Sequence, residues 1–394
     1  MTTNTYIIGS AHTSFSRQPD QTLYSLFSGV IPTALQDANL LASEVDAIFV
    51  ANYSGGSFNN QEHLAPYAVN VNQAFRFKPM FRAEGACASG SSAIHLAQMA
   101  IQSGQIKNAL VIGVEKMTNL DTKGVTDALA KASYYPTEGA KGYTFPGLFA
   151  EFAKGWLKKY QYQPEQLENW LAQISSKAYS LGAKNPYAQL TKERSVEDLL
   201  NMPKEKNPII AEPLRMHDCS PISDGAAAIV LSNDSRANNP VHLRKMVTSC
   251  DYLDIVNSRK PNHFLEAASK AISDVLDSQN MSINDIQFAE VHDCFTIAEL
   301  LMYSALGLAE PGKEFEALES GIVLPGGQCV INPSGGLKSK GHPVGATGVS
   351  MHALSYRQLC DKASGYQVES AENALVVNLG GSASTNVVSL LSRV

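Results

Sequence analysis

One cysteine stands among small residues just ahead of a predicted helix. The segment from Gly85 to Ser92 reads Gly-Ala-Cys87-Ala-Ser-Gly-Ser-Ser, and apolar residues then recur at helical spacing as far as Gly104. Backbone amides and the dipole at a helix start favour an anion, so we expect Cys87 to act as a thiolate nucleophile. The alternative is a cysteine that only packs, because free cysteine is among the most buried residue types.

A second thiol belongs to the tetrapeptide His-Asp-Cys294-Phe. Residues 288–291 before it predict a strand and the residues after it predict a helix, a common position for reactive groups in α/β folds. We expect Cys294 to shuttle a proton. A metal pair of His292 with Cys294 is the alternative, although the spacing fits no familiar zinc pattern. The tripeptide recurs at 217–219 ahead of a predicted turn, and only the strand-then-helix context favours Cys294.

A long glycine-rich loop, residues 332–348, carries one histidine, His342. Glycine and proline fix special backbone geometry, and such rigidity in a loop usually serves function. We expect His342 to act as a base toward a thiol and as a hydrogen-bond donor to an oxyanion. A phosphate-cradling loop is the alternative, but the Gly-Lys-Ser/Thr ending of a P-loop is missing.

The segment from Asn378 to Ser384 contains two adjacent glycines, the first of which is Gly380. Backbone amides in such a glycine-rich turn can bind a developing oxyanion. The alternative is a simple turn between two strands.

Two pairs of segments repeat in the same order along the chain. Residues 108–114 and 373–379 are similar apolar runs that predict buried strands, and residues 46–50 resemble residues 285–289. Such repeats indicate an internal duplication, here of two βα halves.

The composition changes between these halves, where Lys, Tyr, Gln, Asn and Pro become frequent and helical periodicity appears at 146–160 and 165–182. We predict an N-terminal half (1–118), then a segment (119–240) that holds a loop domain over the active site (about 119–210) and the return of the N-terminal half, and a C-terminal half (241–394). A solvated insertion without catalytic role is the alternative.

Composition excludes several classes of protein. Charged residues make up 17% of the 394 residues, below the typical value of about 25%, so much of the chain is buried in a thick core or in subunit interfaces. The net charge of −6 argues against a nucleic-acid partner, and no segment approaches the roughly 18 apolar residues of a membrane span. Six cysteines without a CxxC pair indicate reduced thiols, so we expect a cytoplasmic protein.

The four motifs in this order resemble the thiolase superfamily. More narrowly, they are similar to the thiolases related to the enzyme fused to sterol carrier protein, which have His-Asp-Cys-Phe where conventional thiolases have Asn-Glu-Ala-Phe. The resemblance covers essentially the whole chain and is strongest at 291–295 and 331–337. It implies an α/β fold, the five-layer αβαβα sandwich of two repeated halves with an inserted loop domain.

Two features depart from conventional thiolases. Their fourth motif has a second catalytic cysteine in a Cys-x-Gly unit, whereas this chain has Asn378 there and retains Gly380. The resemblance to the sterol-carrier type implies that Cys294 supplies the missing thiol. The chain stops at Val394, so we expect no fused sterol-carrier domain.

The resemblance implies thiolytic cleavage of 3-ketoacyl-CoA, or the reverse Claisen condensation of acetyl-CoA. Cys87 would carry the acyl group, His342 would take its proton, and Cys294 would protonate the acetyl-CoA enolate. The amides of Cys87 and Gly380 would hold the oxyanion of the acyl enzyme, and His292 with His342 would hold the thioester oxygen of the enolate. Coenzyme A and acyl-CoA are the expected substrates, with no permanently bound cofactor and no metal.

The resemblance also implies a homodimer or homotetramer. Two other functions remain open: a biosynthetic acyltransferase that works in a complex with a zinc-ribbon/OB-fold partner, and a non-catalytic acyl-CoA-binding scaffold. Related aldol-type lyases act on steroid side chains, but a nucleophilic Cys87 disfavours that class.

Overall fold

The computed structural model of the protein describes residues 3–235, 239–259 and 264–394. In these ranges the strands are β1 (Tyr6–His12), β2 (Ala47–Ala51), β3 (Met80–Ala83), β4 (Asn108–Glu115), β5 (Ile209–Ala211), β6 (Leu214–Arg215), β7 (Gly225–Ser232), β8 (Val241–Cys250), β9 (Phe288–Val291), β10 (Val330–Ile331), β11 (Asn373–Gly380) and β12 (Thr385–Arg393).

The helices over the same ranges lie mostly between these strands. They are α1 (Leu23–Asp37), α2 (Gly55–Asn59), α3 (Tyr67–Val71), α4 (Ser89–Gln102), α5 (Thr122–Ala130), α6 (Phe145–Tyr160), α7 (Pro164–Gly182), α8 (Val196–Leu200), α9 (Glu266–Asp277), α10 (Thr296–Ala305), α11 (Phe315–Glu319), α12 (Gly336–Lys340) and α13 (Val344–Leu359).

The sheet strands form two sets with the same arrangement. The first set is ordered β3-β2-β4-β7-β1 and the second β10-β9-β11-β12-β8. In each set the first three strands of this order are parallel and the last two are antiparallel to their neighbours. The predicted repeat of 108–114 and 373–379 falls in β4 and β11, which occupy equivalent places, so the duplication is confirmed.

Helices separate and cover the two sets of strands. The outer face of the first set carries α1, the outer face of the second carries α9, and α4 and α13 contact strands of both sets from between them. The edge strands β1 and β8 meet through only two residue pairs, Tyr6 with His242 and Ile7 with Val241. This arrangement confirms the predicted five-layer αβαβα sandwich, with the two sheets touching along one short edge.

The central layer depends on close approach of α4 and α13. A side-chain carbon at Gly90 of α4 would lie 2.5 Å from the backbone nitrogen of Val349 in α13, and one at Gly113 of β4 would lie 2.8 Å from the Cα atom of Ala346. Glycine at these places lets α13, the helix that follows His342, pack directly on α4, the helix that follows Cys87, and on β4.

The predicted helices at 146–160 and 165–182 are confirmed as α6 and α7, and both pack on α10. The numbered domain boundaries stay a prediction, and residues 236–238 beside the boundary at 240 lie outside the described ranges. No helix in the described part of the chain is long and apolar enough to cross a membrane.

Candidate active site

Cys87 sits in a tight turn between β3 and α4. A short 3-10 helix spans Ala86–Ala88, and Ala86 has a φ of 52°, in the left-handed region that residues with side chains rarely adopt. The hydroxyl of Ser89 accepts from the amide of Gly85 at 3.0 Å and donates to the carbonyl of Ala86 at 2.6 Å. These bonds hold the strained turn, and the Cys87 side chain reaches a cavity.

Burial favours the neutral form of the Cys87 thiol. Burial raises its pKa to about 12, against the opposing effect of hydrogen bonds from the backbone amides of Gly381 and of Cys87 itself. The negative charges of Glu115 and Glu84 add to the rise. The amides at the helix start favour the thiolate as expected, but desolvation has the larger effect on the pKa of Cys87.

The tautomer of His342 is set by Thr347. The Nδ1 atom of His342 lies 2.6 Å from the Thr347 hydroxyl, and that hydroxyl donates its one proton to the carbonyl of Pro343 at 3.0 Å. The hydroxyl therefore accepts from Nδ1, and Nε2 of His342 is left with a lone pair. Burial and the charge of Lys340 lower the pKa of His342 to about 3, so the ring is a neutral base.

The tautomer of His292 is set by Asn378 in the opposite sense. The Asn378 amide nitrogen donates to the carbonyl of Cys87 at 3.1 Å and lies 3.1 Å from Nδ1 of His292. Since a carbonyl can only accept, this nitrogen is the donor, and Nδ1 of His292 accepts. Nε2 of His292 then carries the proton, and it is buried without a hydrogen-bond partner among the described residues. Burial lowers the pKa of His292 well below its ordinary value.

The thiol and the two imidazoles meet at one point. The sulfur of Cys87 and one ring nitrogen each of His292 and His342 all lie within 4.8 Å of one another. This set offers one neutral thiol, one lone pair and one unused N–H donor, which suits proton removal and oxyanion binding. The same atoms have the donor types of a zinc site, so the absence of a metal stays a prediction.

Cys294 lies three residues after the end of β9 and lines the same cavity, with 6% of its surface exposed. Burial, followed by the charge that Cys87 would carry as a thiolate, raises the pKa of Cys294 well above its ordinary value. The neighbouring carboxylate of Asp293 accepts from the amides of Leu337 and Lys338 at 2.6 and 3.3 Å. That carboxylate ties the segment of Cys294 to the glycine-rich loop that carries His342.

Gly380 is the last residue of β11, and a side-chain carbon there would lie 2.1 Å from the carbonyl oxygen of Gly85. Only glycine fits this contact without a shift of the Cys87 turn. The amide that is hydrogen-bonded to the Cys87 sulfur belongs to the next residue, Gly381. The oxyanion role of the Gly380 amide stays a prediction.

Family comparisons agree with this geometry. Residues 5–235 match the thiolase N-terminal domain, and residues 249–393 match a thiolase C-terminal domain-like model. The chain belongs to the thiolase family. An acetyl-CoA acetyltransferase of Methanothermobacter thermautotrophicus is 34% identical over 391 residues, covering 98% of this thiolase chain and 99% of the relative.

One further relative bears on the type of thiolase, and one solved structure bears on the fold. Human sterol carrier protein 2 is 31% identical over 88% of this chain and 64% of its own length. A solved structure described as an Ltp2-ChsH2(DUF35) aldolase superposes with a TM-score of 0.81 at 19% identity, covering 100% of this chain and 98% of that one. The prediction of a thiolase of the sterol-carrier type is confirmed.

The second His-Asp-Cys copy lies in a 3-10 turn ahead of β7, directly beside the first copy. Cys219 forms an isolated antiparallel bridge with Phe295, and the amide of Ser220 donates to the carbonyl of Cys294 at 2.9 Å. His217 and Cys219 both line the cavity. Nothing local in the sequence marks this pairing, because it joins segments that are far apart along the chain.

The cavity has a volume of about 490 Å³. Most of its wall is apolar, and the inserted segment supplies side chains from the helices α5 and α6: Val125, Leu129, Phe145 and Pro146. Sequence reasoning missed Asn378 as the partner of His292 and Thr347 as the partner of His342. A polar residue in the first turn of the helix that follows an active-site histidine, as Thr347 of α13 follows His342, is the signal that points to the latter.

Proposed function

We propose that this thiolase cleaves 3-oxoacyl-CoA thioesters with coenzyme A, and runs the reverse condensation, through an acyl group carried on Cys87. The observation that supports this most is the placement of Cys87, His292 and His342 within 4.8 Å of one another, with Cys294 in the same cavity. Thiolysis needs a nucleophile with its own base, a donor for a developing oxyanion, and a second proton donor. The site holds one residue for each task.

Acyl transfer to the enzyme begins with a neutral thiol. Both groups start neutral, since burial raises the pKa of Cys87 to about 12 and lowers that of His342 to about 3. The proton therefore passes to Nε2 of His342 only as the sulfur bonds to the 3-oxo carbon. The tetrahedral oxyanion would be held by the backbone amides of Cys87 and Gly380. The Gly381 amide, one residue further on, faces the Cys87 sulfur. The oxyanion then collapses and the carbon–carbon bond breaks.

Bond cleavage releases the enolate of acetyl-CoA. The Nε2–H group of His292, and the N–H that His342 has gained from Cys87, supply two donors for the enolate oxygen. Cys294 then protonates the enolate carbon. Its raised pKa keeps this thiol protonated before the step, which suits an acid. Coenzyme A finally attacks the thioester carbon and gives its thiol proton to the Cys294 thiolate, while the departing Cys87 sulfur takes its proton back from His342.

A thiolysis assay tests this proposal. Purified protein is given coenzyme A and a series of 3-oxoacyl-CoA thioesters, and loss of the substrate is followed together with formation of acetyl-CoA. Cys87→Ala should lose turnover on every substrate, whereas Cys250→Ala, which removes an exposed cysteine outside the cavity, should keep it. A wild-type protein without turnover across the series would contradict the proposal.

A biosynthetic acyltransferase in a complex is the second candidate. Two residues that line the cavity, Ile210 and Met216, are 48% and 42% exposed, and the DUF35 aldolase structure pairs a chain of the same fold with another protein. Turnover by the purified chain alone would show that a zinc-ribbon/OB-fold partner is dispensable. Alkylation of the cysteines with and without acyl-CoA tests the third candidate, a non-catalytic scaffold. A scaffold would show no thiol that is both alkylated selectively and protected by acyl-CoA.

A further inference from the structure

A buried cation faces the acyl cavity without a counter-ion at contact distance. Lys338 of α12 is 1% exposed and lines the cavity together with Cys87. Its ammonium donates to the hydroxyl of Tyr179 at 3.2 Å and lies 4.3 Å from the centre of that ring. No carboxylate in the described ranges forms an ion pair with Lys338. Asp218 feels its charge, but accepts instead from the Arg215 amide and from the Thr296 hydroxyl.

The hydroxyl of Tyr179 connects this cation to a histidine. Because that hydroxyl accepts from Lys338, its own proton points to Nδ1 of His217, 2.5 Å away. Nε2 of His217 is then an N–H donor, and it has no hydrogen-bond partner among the described residues. Burial and the charges of Lys338 and Arg194 lower the pKa of His217 to about 4, so the ring stays neutral.

Lys338, Tyr179 and His217 form one polar patch on the otherwise apolar wall of the cavity. An ammonium has three N–H groups, and Tyr179 takes one of them. Both Lys338 and His217 line the cavity, and each has donors without acceptors. A buried charge normally requires a partner, because leaving it unpaired is costly. A carboxylate is the group that two such donors would bind, through charge-assisted hydrogen bonds.

We propose that Lys338 and His217, oriented by Tyr179, form a carboxylate subsite, and that the preferred substrates are 3-oxoacyl-CoA thioesters whose acyl chain ends in a carboxylate. This inference rests on the proposed thiolase function, since it specifies the substrate class of the same cavity. A phosphate of coenzyme A is the other anion available. Lys338 shares the cavity with both reactive thiols, Cys87 and Cys294, which favours an anion on the acyl group.

The test compares pairs of substrates that differ only at the chain end. The kcat/KM for 3-oxoadipyl-CoA is divided by that for 3-oxohexanoyl-CoA, and the same ratio is taken for the pair one carbon longer. The wild-type ratio should be about tenfold or more in at least one pair. In Lys338→Met this ratio should fall close to one, because kcat/KM decreases for the carboxylate substrate alone. Lys338→Arg should retain the preference.

The control for net charge is Lys154→Met, which removes an exposed lysine of α6 and should leave the ratio unchanged. A wild-type protein that turns over both substrates of each pair equally would overturn the subsite, with no variant needed. An equal loss on both substrates in a folded Lys338→Met protein would also overturn it, because that result assigns Lys338 to coenzyme A or to structure.

A binding measurement separates this inference from the thiolase function itself. Calorimetry with adipyl-CoA and hexanoyl-CoA on the Cys87→Ala protein needs no turnover. Adipyl-CoA should bind about tenfold more tightly, and the added change Lys338→Met should remove the difference. Equal affinities would overturn the subsite even if thiolysis is observed, whereas tighter adipyl-CoA binding without any thiolysis would contradict only the catalytic proposal.

Discussion

The imidazole rings of His292 and His342 stand nearly perpendicular, at 84°, with their centres 5.1 Å apart. Their neighbours give them opposite tautomers: Asn378 leaves the proton of His292 on Nε2, and Thr347 leaves the lone pair of His342 on Nε2. Beside one thiol the site therefore has both a hydrogen-bond donor and a base, and each assignment depends on a residue that does not itself react.

Removal of the Thr347 hydroxyl should weaken the base. In Thr347→Val the Nδ1 proton of His342 has no acceptor, so the ring can turn or take the other tautomer. We expect the rate of Cys87 acylation by acetyl-CoA to fall by about tenfold or more, part of the 10²–10⁴ that a positioned base supplies. Rapid-quench mass spectrometry measures this rate. Thr347→Ser keeps the hydroxyl and should stay near wild type, and equal rates in Thr347→Val would refute the assignment.

Replacement of Asn378 by aspartate should reverse the tautomer of His292. The carboxylate would accept from Nδ1, and Nε2 would then carry a lone pair instead of the donor that the enolate needs. We expect exchange of the acetyl-CoA α-hydrogens with deuterated water to slow by about 10²–10³ in Asn378→Asp, the usual effect of one lost oxyanion donor. Mass spectrometry of the recovered acetyl-CoA follows the exchange. Exchange at the wild-type rate would mean that His292 is not that donor.

The pH dependence of acylation should distinguish a neutral pair from an ion pair. With the pKa of Cys87 at about 12 and that of His342 at about 3, neither group changes its protonation near neutral pH. We therefore expect a wild-type acylation rate that is nearly flat between about pH 6 and 9.

In His342→Ala the base is gone, and acylation depends on the small thiolate fraction. Below the pKa of the thiol that fraction rises about tenfold per pH unit, so the acylation rate should rise equally steeply with pH. A wild-type profile that falls through an inflection near about pH 6.5, the ordinary pKa of histidine, would indicate an imidazolium–thiolate pair instead.

The two His-Asp-Cys copies should differ in function although they lie side by side. Cys294→Ala should still accept an acetyl group on Cys87, but should neither condense acetyl-CoA nor exchange its α-hydrogens, because the enolate has lost its acid and base. Cys219→Ala should keep both activities and lose at most modest stability. If Cys294→Ala exchanges α-hydrogens at the wild-type rate, the proton shuttle lies elsewhere, with Asn378 or a bound water as the next candidate.

Local sequence patterns predict much of the fold. The repeated strands at 108–114 and 373–379 indicated the duplication because a strand buried on both faces has a recognisable apolar run. The sequence also predicts the turns and helices next to Cys87, Cys294 and His342, because glycine-rich turns and helix starts depend on only a few neighbouring residues.

What was missed depends on contacts between distant segments. The raised pKa of Cys87 follows from desolvation by the packed site, not from its own turn. The pairing of Cys219 with Phe295 and that of Asn378 with His292 each join segments that are far apart in sequence. Only the assembled fold shows these contacts.

The most direct measurement is the intact mass of the protein after brief incubation with acetyl-CoA. The account predicts one added acetyl group on the wild type, mapped by peptide analysis to Cys87 and removed by free coenzyme A. The Cys87→Ala protein, still folded by circular dichroism, should show no such adduct. An acetyl adduct that persists in Cys87→Ala, or one that maps to another cysteine of the wild type, would contradict the account.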